Sequence, residues 1–182
     1  AKMKIAVIGS QGFIGSHVYN SLKNSGHNVE SIQNLAIGDI SSDLDANSLD
    51  WILNFAGKTS LSESFKEPIG IYRKNIDIAL AAIQMSYISG ATLLNVSSYV
   101  YGDVKFPPAK ESDKLTSSNP YMGSKIAIET ILADLASQLD VGLVTIRPSN
   151  IYGPFLTKKL DRWTLVPGCF CKEIINEKSI TL

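Results

Sequence analysis

The sequence predicts an α/β fold, a doubly wound parallel sheet with helices on both faces, and three observations predict it. Short apolar runs alternate along the chain with longer segments of helical period, the order that builds strand–helix–strand units. The first run, MKIAVI at Met3–Ile8, is apolar and β-branched without the alternation of a half-exposed strand, as expected of a strand covered on both sides. That run ends in a glycine triplet, Gly9, Gly12 and Gly15, where a strand should turn tightly into a helix.

In chain order, Met3–Ile8 is the first strand and Phe13–Leu22 an amphipathic helix, with Gly26 marking the turn into a second strand at Asn28–Ile32. Trp51–Phe55 is a third strand. Ile69–Ser89 is long and periodic enough to be a helix, Gly90 ends it, and Thr92–Val96 follows as a strand. The segment from Gly102 to Asn119 is rich in Pro, Ser, Asp and Lys and reads as a surface loop. Asn119 and Pro120 then supply a cap and a first-turn residue for a helix over Pro120–Leu139. Gly142 adjoins a last strand, Val141–Ile146. There is no internal repeat and no low-complexity linker.

With 182 residues, 45% of them apolar, 19% charged and no net charge, the chain has the composition of a globular domain with a sizeable core. There is no basic excess to neutralise a phosphate backbone and no lysine cluster interleaved with aromatics, so nucleic acid is not an expected partner. Apolar stretches are interrupted well before the ~18 positions of a membrane span, and no charged leader precedes an apolar signal region. A cytoplasmic location is the default expectation, with no membrane partner. Cys169 and Cys171 are too few for a disulfide framework, and with His17 and His27 distant in sequence they form no zinc spacing. No metal is expected.

Two patterns carry chemistry. At the glycine triplet, missing side chains let the backbone approach a pyrophosphate, while the free N–H groups and dipole of the following helix favour its negative charge. Tyr121 and Lys125 form Y-x-x-x-K at a helix start, 24 residues beyond Ser97. Four positions apart on a helix they share a face, so the ammonium can lie near the phenol oxygen and favour its ionised form, as general acid/base catalysis needs.

Seven motifs in this order resemble the extended short-chain dehydrogenase/reductases, the group of Rossmann-type enzymes that contains nucleotide-sugar epimerases, dehydratases and reductases. They are G-x-x-G-F-I-G at Gly9–Gly15, N-F-A-G at Asn54–Gly57, S-E-S-F-K-E-P at Ser62–Pro68, Asn75, V-S-S-Y-V-Y-G at Val96–Gly102, Y-M-G-S-K at Tyr121–Lys125, and I-R-P-S-N-I-Y-G-P at Ile146–Pro154. The resemblance covers nearly the whole chain. It implies Tyr121 as general acid/base, Lys125 as the residue that promotes its ionisation and holds the nicotinamide ribose, and Ser97 as the hydroxyl bonding the reacting oxygen. Ser97 is selected over Ser98 because it stands four residues before Tyr101 of V-Y-G.

The resemblance further implies cofactor contacts at Gly9, Gln11, Gly12, Phe13, Ile14 and Gly15, at Phe55, Ala56 and Gly57, and at Asn75 and Pro148. Ser64, Ser98 and Asn150 are expected at the substrate, with Thr59 a weaker expectation. Asn75 has an alternative as a buried amide satisfied by backbone. Where NAD-using relatives carry an Asp at the end of the second strand, this chain has Gln33, which can bond a ribose without repelling a 2′-phosphate. No Arg or Lys occurs from Ser31 to Ile40 to pair such a phosphate, so the expected cofactor is NAD, with NADP open. Asp39, followed by Ile40, matches the family's acidic residue beside adenine.

Dehydratases of this kind place an acidic residue after the catalytic Ser or Thr; Ser98 and Tyr99 stand there instead, which disfavours dehydration. Epimerase and keto-sugar reductase chemistry on a nucleotide-sugar remain, needing the same Ser, Tyr and Lys. A non-catalytic, NAD(P)-responsive binding protein on the same fold is the alternative from another class. Residues 1–154 read as the dinucleotide domain and 155–182 as the start of a substrate-binding region that relatives continue further. The helices at Ile69–Ser89 and Pro120–Leu139 correspond to the family's dimer helices, so a homodimer is expected.

Overall fold

A computed structural model describes residues 1–33, 35, 49–102, 108–154, 156 and 166–177. Five strands form one wholly parallel sheet in the order β2-β1-β3-β4-β5: β1 Lys4–Ile8, β2 Asn28–Ile32, β3 Trp51–Asn54, β4 Thr92–Val96 and β5 Leu143–Ile146. Register is continuous across it: Ile8 pairs with Ile32 on one side and Asn54 on the other, Asn54 pairs with Asn95, and Val96 with Ile146. The chain leaves β1 toward β2 on one flank and returns to β3 on the other. Strand order therefore reverses at β1, and the crevice beyond the carboxyl ends of β1 and β3 is where such sheets take ligands.

Each face has its own core. On one, Ile5, Val7, Val29 and Leu53 pack with Val18, Tyr19 and Leu22 of α1 (Phe13–Asn24). On the other, Ala6, Ile8, Ile52 and Leu93 meet Ile78, Ala82 and Ile83 of α3 (Pro68–Ser89) and Ile128, Leu132 and Ala136 of α4 (Pro120–Leu139). This double coverage is why β1 is apolar at consecutive positions.

The helix boundaries follow local chemistry. Pro68 opens α3, and Gly90, in the left-handed region at φ 70°, closes it with its N–H on the Ser86 carbonyl. Asn119 caps α4, its side chain accepting the Met122 N–H at 2.9 Å, and Pro120 takes the first turn. The far end of α4 departs from the expectation placed on Gly142. The left-handed residue is Asp140, at φ 54°. Gly142 serves a close approach, since a Cβ there would stand 2.8 Å from Thr92 Oγ1, and β5 begins only at Leu143.

Two helices were not expected. In α2 (Leu61–Lys66) Ser60 accepts the Glu63 N–H through its side chain, the S-x-x-E spacing of a helix start that the short apolar content conceals. The other, α5 (Val166–Glu177), lies in a second compact unit, Ser149–Leu182, the first being Ala1–Pro148. Cys169 and Cys171 of α5 are free thiols. No helix among the described residues is long and apolar enough to cross a membrane.

Candidate active site

At the carboxyl end of β1 the backbone must double back at once into α1, and glycine is required there for two separate reasons. Gly9 has φ 80°, and a Cβ on it would stand 2.7 Å from the Ala56 nitrogen. Gly15 presses against the Gly9 carbonyl from the first turn of α1, where a side chain would collide with that backbone. Gly12 caps α1 with no side-chain hydrogen bond, leaving the positive end of the helix dipole without a side-chain cap, as anion-binding helix starts are. Phe13 is buried, edge-on to His17 at 5.7 Å between ring centroids, which anchors the helix start; Gln11 is exposed and Ile14 half-buried.

Gln33 stands just beyond β2. Its Nε2 donates to Ser10 Oγ at 2.8 Å and Ser31 Oγ at 2.7 Å, tying the ends of β1 and β2 together. Asp39 and Ile40 lie outside the described residues. Beside this end of the sheet is a cavity of about 130 Å³, lined by Ile8, Gly9, Ile32, Leu35, Ala56, Lys74 and Ile78. Its walls are mostly aliphatic, with one cation at the edge. Of these, only Gly9 and Ala56 were expected from the sequence as site residues, and Ile8, Ile32, Leu35, Lys74 and Ile78 were not; Ile78 and Lys74 sit one helical turn apart on α3, a spacing that signals a shared face and nothing about a ligand.

After β3 the chain runs through Phe55 and Ala56 to Gly57. A Cβ on Gly57 would stand 3.2 Å from Asn75 Oδ1 and 3.7 Å from Lys125 Nζ, so this glycine lets the turn pass between α3 and α4. Asn75, 3% exposed, accepts the Lys58 N–H at 2.8 Å and donates to the Lys58 carbonyl and to Ser124 Oγ. Both donor hydrogens of its amide are engaged within the protein, which makes Asn75 a strut between the turn, α3 and α4.

Ser97 closes β4, its N–H on the Ile146 carbonyl at 2.8 Å. Ser97 is 3% exposed, and its Oγ has no partner among the described residues. A buried hydroxyl without a bond costs about 1–3 kcal/mol, so the position is held against the fold's own interest. The Tyr121 and Lys125 side chains come from the first two turns of α4. Lys125 Nζ donates to the carbonyl of Val96, the residue before Ser97, at 3.0 Å, and lies 5.9 Å from the Tyr121 ring centroid. Burial draws the Lys125 ammonium down from its ordinary 10.5 to about 8, with the charge of Glu129 opposing. Lys125 is thus brought to the backbone beside Ser97, with the Tyr121 ring 5.9 Å from its ammonium.

The substrate expectations fare differently. Ser98 is half-buried beside Ser97 and Thr59 is exposed. Ser64 is fully buried in α2 with its hydroxyl donating to the Leu61 carbonyl at 2.7 Å, so it presents no group at a surface in this arrangement. Pro148 ends the first unit, and Asn150 belongs to the second.

One part-buried ion pair was missed. Arg147, next after β5, grips both carboxylate oxygens of Glu129 on α4: Nε lies 3.1 and 3.0 Å from Oε1 and Oε2, and Nη2 lies 2.6 Å from Oε2. Its Nη1 donates to the Tyr101 hydroxyl and to the Glu111 carbonyl, each at 3.0 Å. These bonds, first to Glu129 and then to Tyr101, hold the guanidinium firmly charged. The signal available was Glu129 standing one helical turn beyond Lys125.

Against known proteins, a family model described as the NAD dependent epimerase/dehydratase family matches residues 5–168. The UDP-glucose 4-epimerase of Lacticaseibacillus casei is 30% identical over 175 residues, covering 83% of this chain and 52% of that protein. That of Yersinia enterocolitica is 28% identical, covering 83% and 54%. Among solved structures, the UDP-glucose 4-epimerase of Stenotrophomonas maltophila with bound NAD and formylated UDP-arabinopyranose is 28% identical with a TM-score of 0.68, over 80% of this chain and 52% of that one. The UDP-glucose 4-epimerase of Thermotoga maritima with UDP-glucose is 25% identical with a TM-score of 0.79, over 95% and 63%. The chain spans about half the length of the curated relatives it matches. The match begins in β1, takes in every strand of the sheet and runs into α5, and the chain belongs to the NAD dependent epimerase/dehydratase family.

Proposed function

We propose that this chain carries the cofactor-binding and catalytic half of a nucleotide-sugar 4-epimerase working through NAD, with keto-sugar reduction as the chemistry the same residues would otherwise serve. The observation that carries the reading is Ser97: a buried hydroxyl at the end of β4 with no partner among the described residues, one residue from the carbonyl that holds Lys125. Support for a UDP-hexose as substrate comes from the UDP-glucose 4-epimerases among the relatives.

The residues fit a dinucleotide. The glycine turn and the uncapped start of α1 would take the pyrophosphate, and the aliphatic cavity between Ile8, Ile32, Ala56 and Ile78 would take a flat ring. Gln33, its Nε2 engaged by Ser10 and Ser31, keeps its amide oxygen for a ribose hydroxyl and offers no carboxylate against a 2′-phosphate. Bound NAD supplies the hydride acceptor. Ser97 donates to the reacting sugar oxygen, Tyr121 takes that oxygen's proton as the adjacent C–H leaves with its electron pair, and the Lys125 ammonium supplies the nearby positive charge. In epimerisation both are returned, hydride to the opposite face and proton from Tyr121, so no net redox results.

The test is interconversion of UDP-glucose and UDP-galactose in the presence of NAD, followed by chromatography of the sugar nucleotides. Wild type should turn over, and Tyr121→Phe should lose at least roughly a hundredfold. Binding of NAD with neither interconversion nor reduction of a keto-sugar would replace this reading with that of a binding protein.

A further inference from the structure

Helix α4 is fastened to the segment carrying Ser97 at two points, and they lie on either side of it. Ahead of Ser97, Val96 receives the Lys125 ammonium at 3.0 Å. Behind it, Tyr101 receives Arg147, whose guanidinium also lies 5.3 Å from the Tyr101 ring and clasps Glu129. Lys125 and Glu129 are one turn apart on α4, so both fastenings act on the same face of one helix. Glu129 is only 9% exposed, and Arg147 is its partner.

We propose that Arg147 is a positioning residue: through Glu129 and Tyr101 it holds the turn after Ser97 against α4, and its charge cancels that of Glu129 at Lys125. This deepens the proposed reading of Ser97, Tyr121 and Lys125 and rests on it. Lys125 is faced by Tyr121 and Glu129 from α4, by the Val96 carbonyl from β4, and across Gly57 by the neutral amide of Asn75 from α3. Among the described residues Glu129 is the charged group that opposes the effect of burial on Lys125. Without Arg147, a buried carboxylate one turn away would bind the ammonium for itself and draw it from the Val96 carbonyl.

The experiment follows the Lys125 side-chain nitrogen by NMR in the ¹⁵N-lysine-labelled chain, the signal being identified by its loss in Lys125→Met. Wild type should titrate near 8. Arg147→Met should move the midpoint up by about one pH unit and Glu129→Gln should move it down. Tyr101→Phe keeps both charges; it should leave the midpoint in place and speed amide exchange over residues 98–102. If Arg147→Met fails to fold, Arg147→Lys with Glu129→Gln decides: the first should hold the midpoint while loosening the turn. An unmoved midpoint in Glu129→Gln, or an unchanged exchange rate in Tyr101→Phe, overturns the proposal. These readouts need no cofactor, so a chain that passes them yet fails to bind NAD sinks the proposed function alone.

Discussion

The Lys125 ammonium lies 3.0 Å from the Val96 carbonyl, the group immediately before Ser97 in the chain. A single side chain therefore links the second turn of α4 to the end of β4. The link is made by a cation buried against its preference.

That preference gives the first prediction. The folded-state value of Lys125, about 8, lies below the unfolded 10.5, so the unfolded chain binds the proton more tightly between them. The resulting penalty is fully present below pH 8 and fades as pH rises toward 10.5. It amounts to about 3 kcal/mol, less the ~1 kcal/mol that the bond to Val96 returns. Lys125→Met should therefore be more stable than wild type at pH 7 by about 1–2 kcal/mol, with the gap closing by pH 10, as measured by urea unfolding at both pH values.

A second prediction separates two serines in one small region. Ser124 is fully buried, donates to the Tyr121 carbonyl and accepts from Asn75, so Ser124→Ala should cost about 2 kcal/mol by leaving that amide hydrogen unpaired. Ser97 has no such partner. Ser97→Ala should leave the unfolding midpoint unchanged or slightly raised while cutting turnover by roughly a hundredfold. Equal losses of stability in both variants would contradict the assignment of Ser97.

The third concerns glycine. Gly90 is left-handed with open space where a Cβ would go, so Gly90→Ala should cost roughly 1 kcal/mol, the conformational penalty alone. Gly9 adds to the same conformation a backbone contact at 2.7 Å, and Gly9→Ala should cost about 3 kcal/mol or more. Thermal unfolding of the two variants measures the difference.

Where one local signal decides a feature, the sequence told it. Asn119 and Pro120 set the start of α4, and Thr92–Val96, a largely apolar run between turns, formed at the expected bounds, as did Asn28–Ile32 after the Gly26 turn. The tight glycine turn and the approach of Lys125 to the Tyr121 ring were legible for the same reason, each carried by short spacing. What was not legible depends on segments that meet only in the fold. Arg147 finds Glu129 across 18 residues and Tyr101 across 46. Lys74 joins Ile32 in one cavity through the return of α3 over the sheet. Ser64 carried a motif match, but its hydroxyl turned to the Leu61 carbonyl of its own helix, a local bond that outcompeted any surface role. Helix α2 was lost because six residues give too little period to read.

The most direct test of the central claim is a fluorescence titration of the chain with NADH and with NADPH, in wild type and in Gly12→Ala. Among the described residues a Cβ on Gly12 meets the Gly9 carbonyl alone, at 3.2 Å, a contact relieved by a shift of a few tenths of an ångström, yet it stands where a pyrophosphate must approach the backbone. Saturable micromolar binding by wild type, weakened about tenfold in the variant, is the predicted result. A folded wild-type chain that binds neither nucleotide, or a variant that binds as well as wild type, would contradict a dinucleotide at the Gly9–Gly15 turn and with it the chemistry assigned to Ser97, Tyr121 and Lys125.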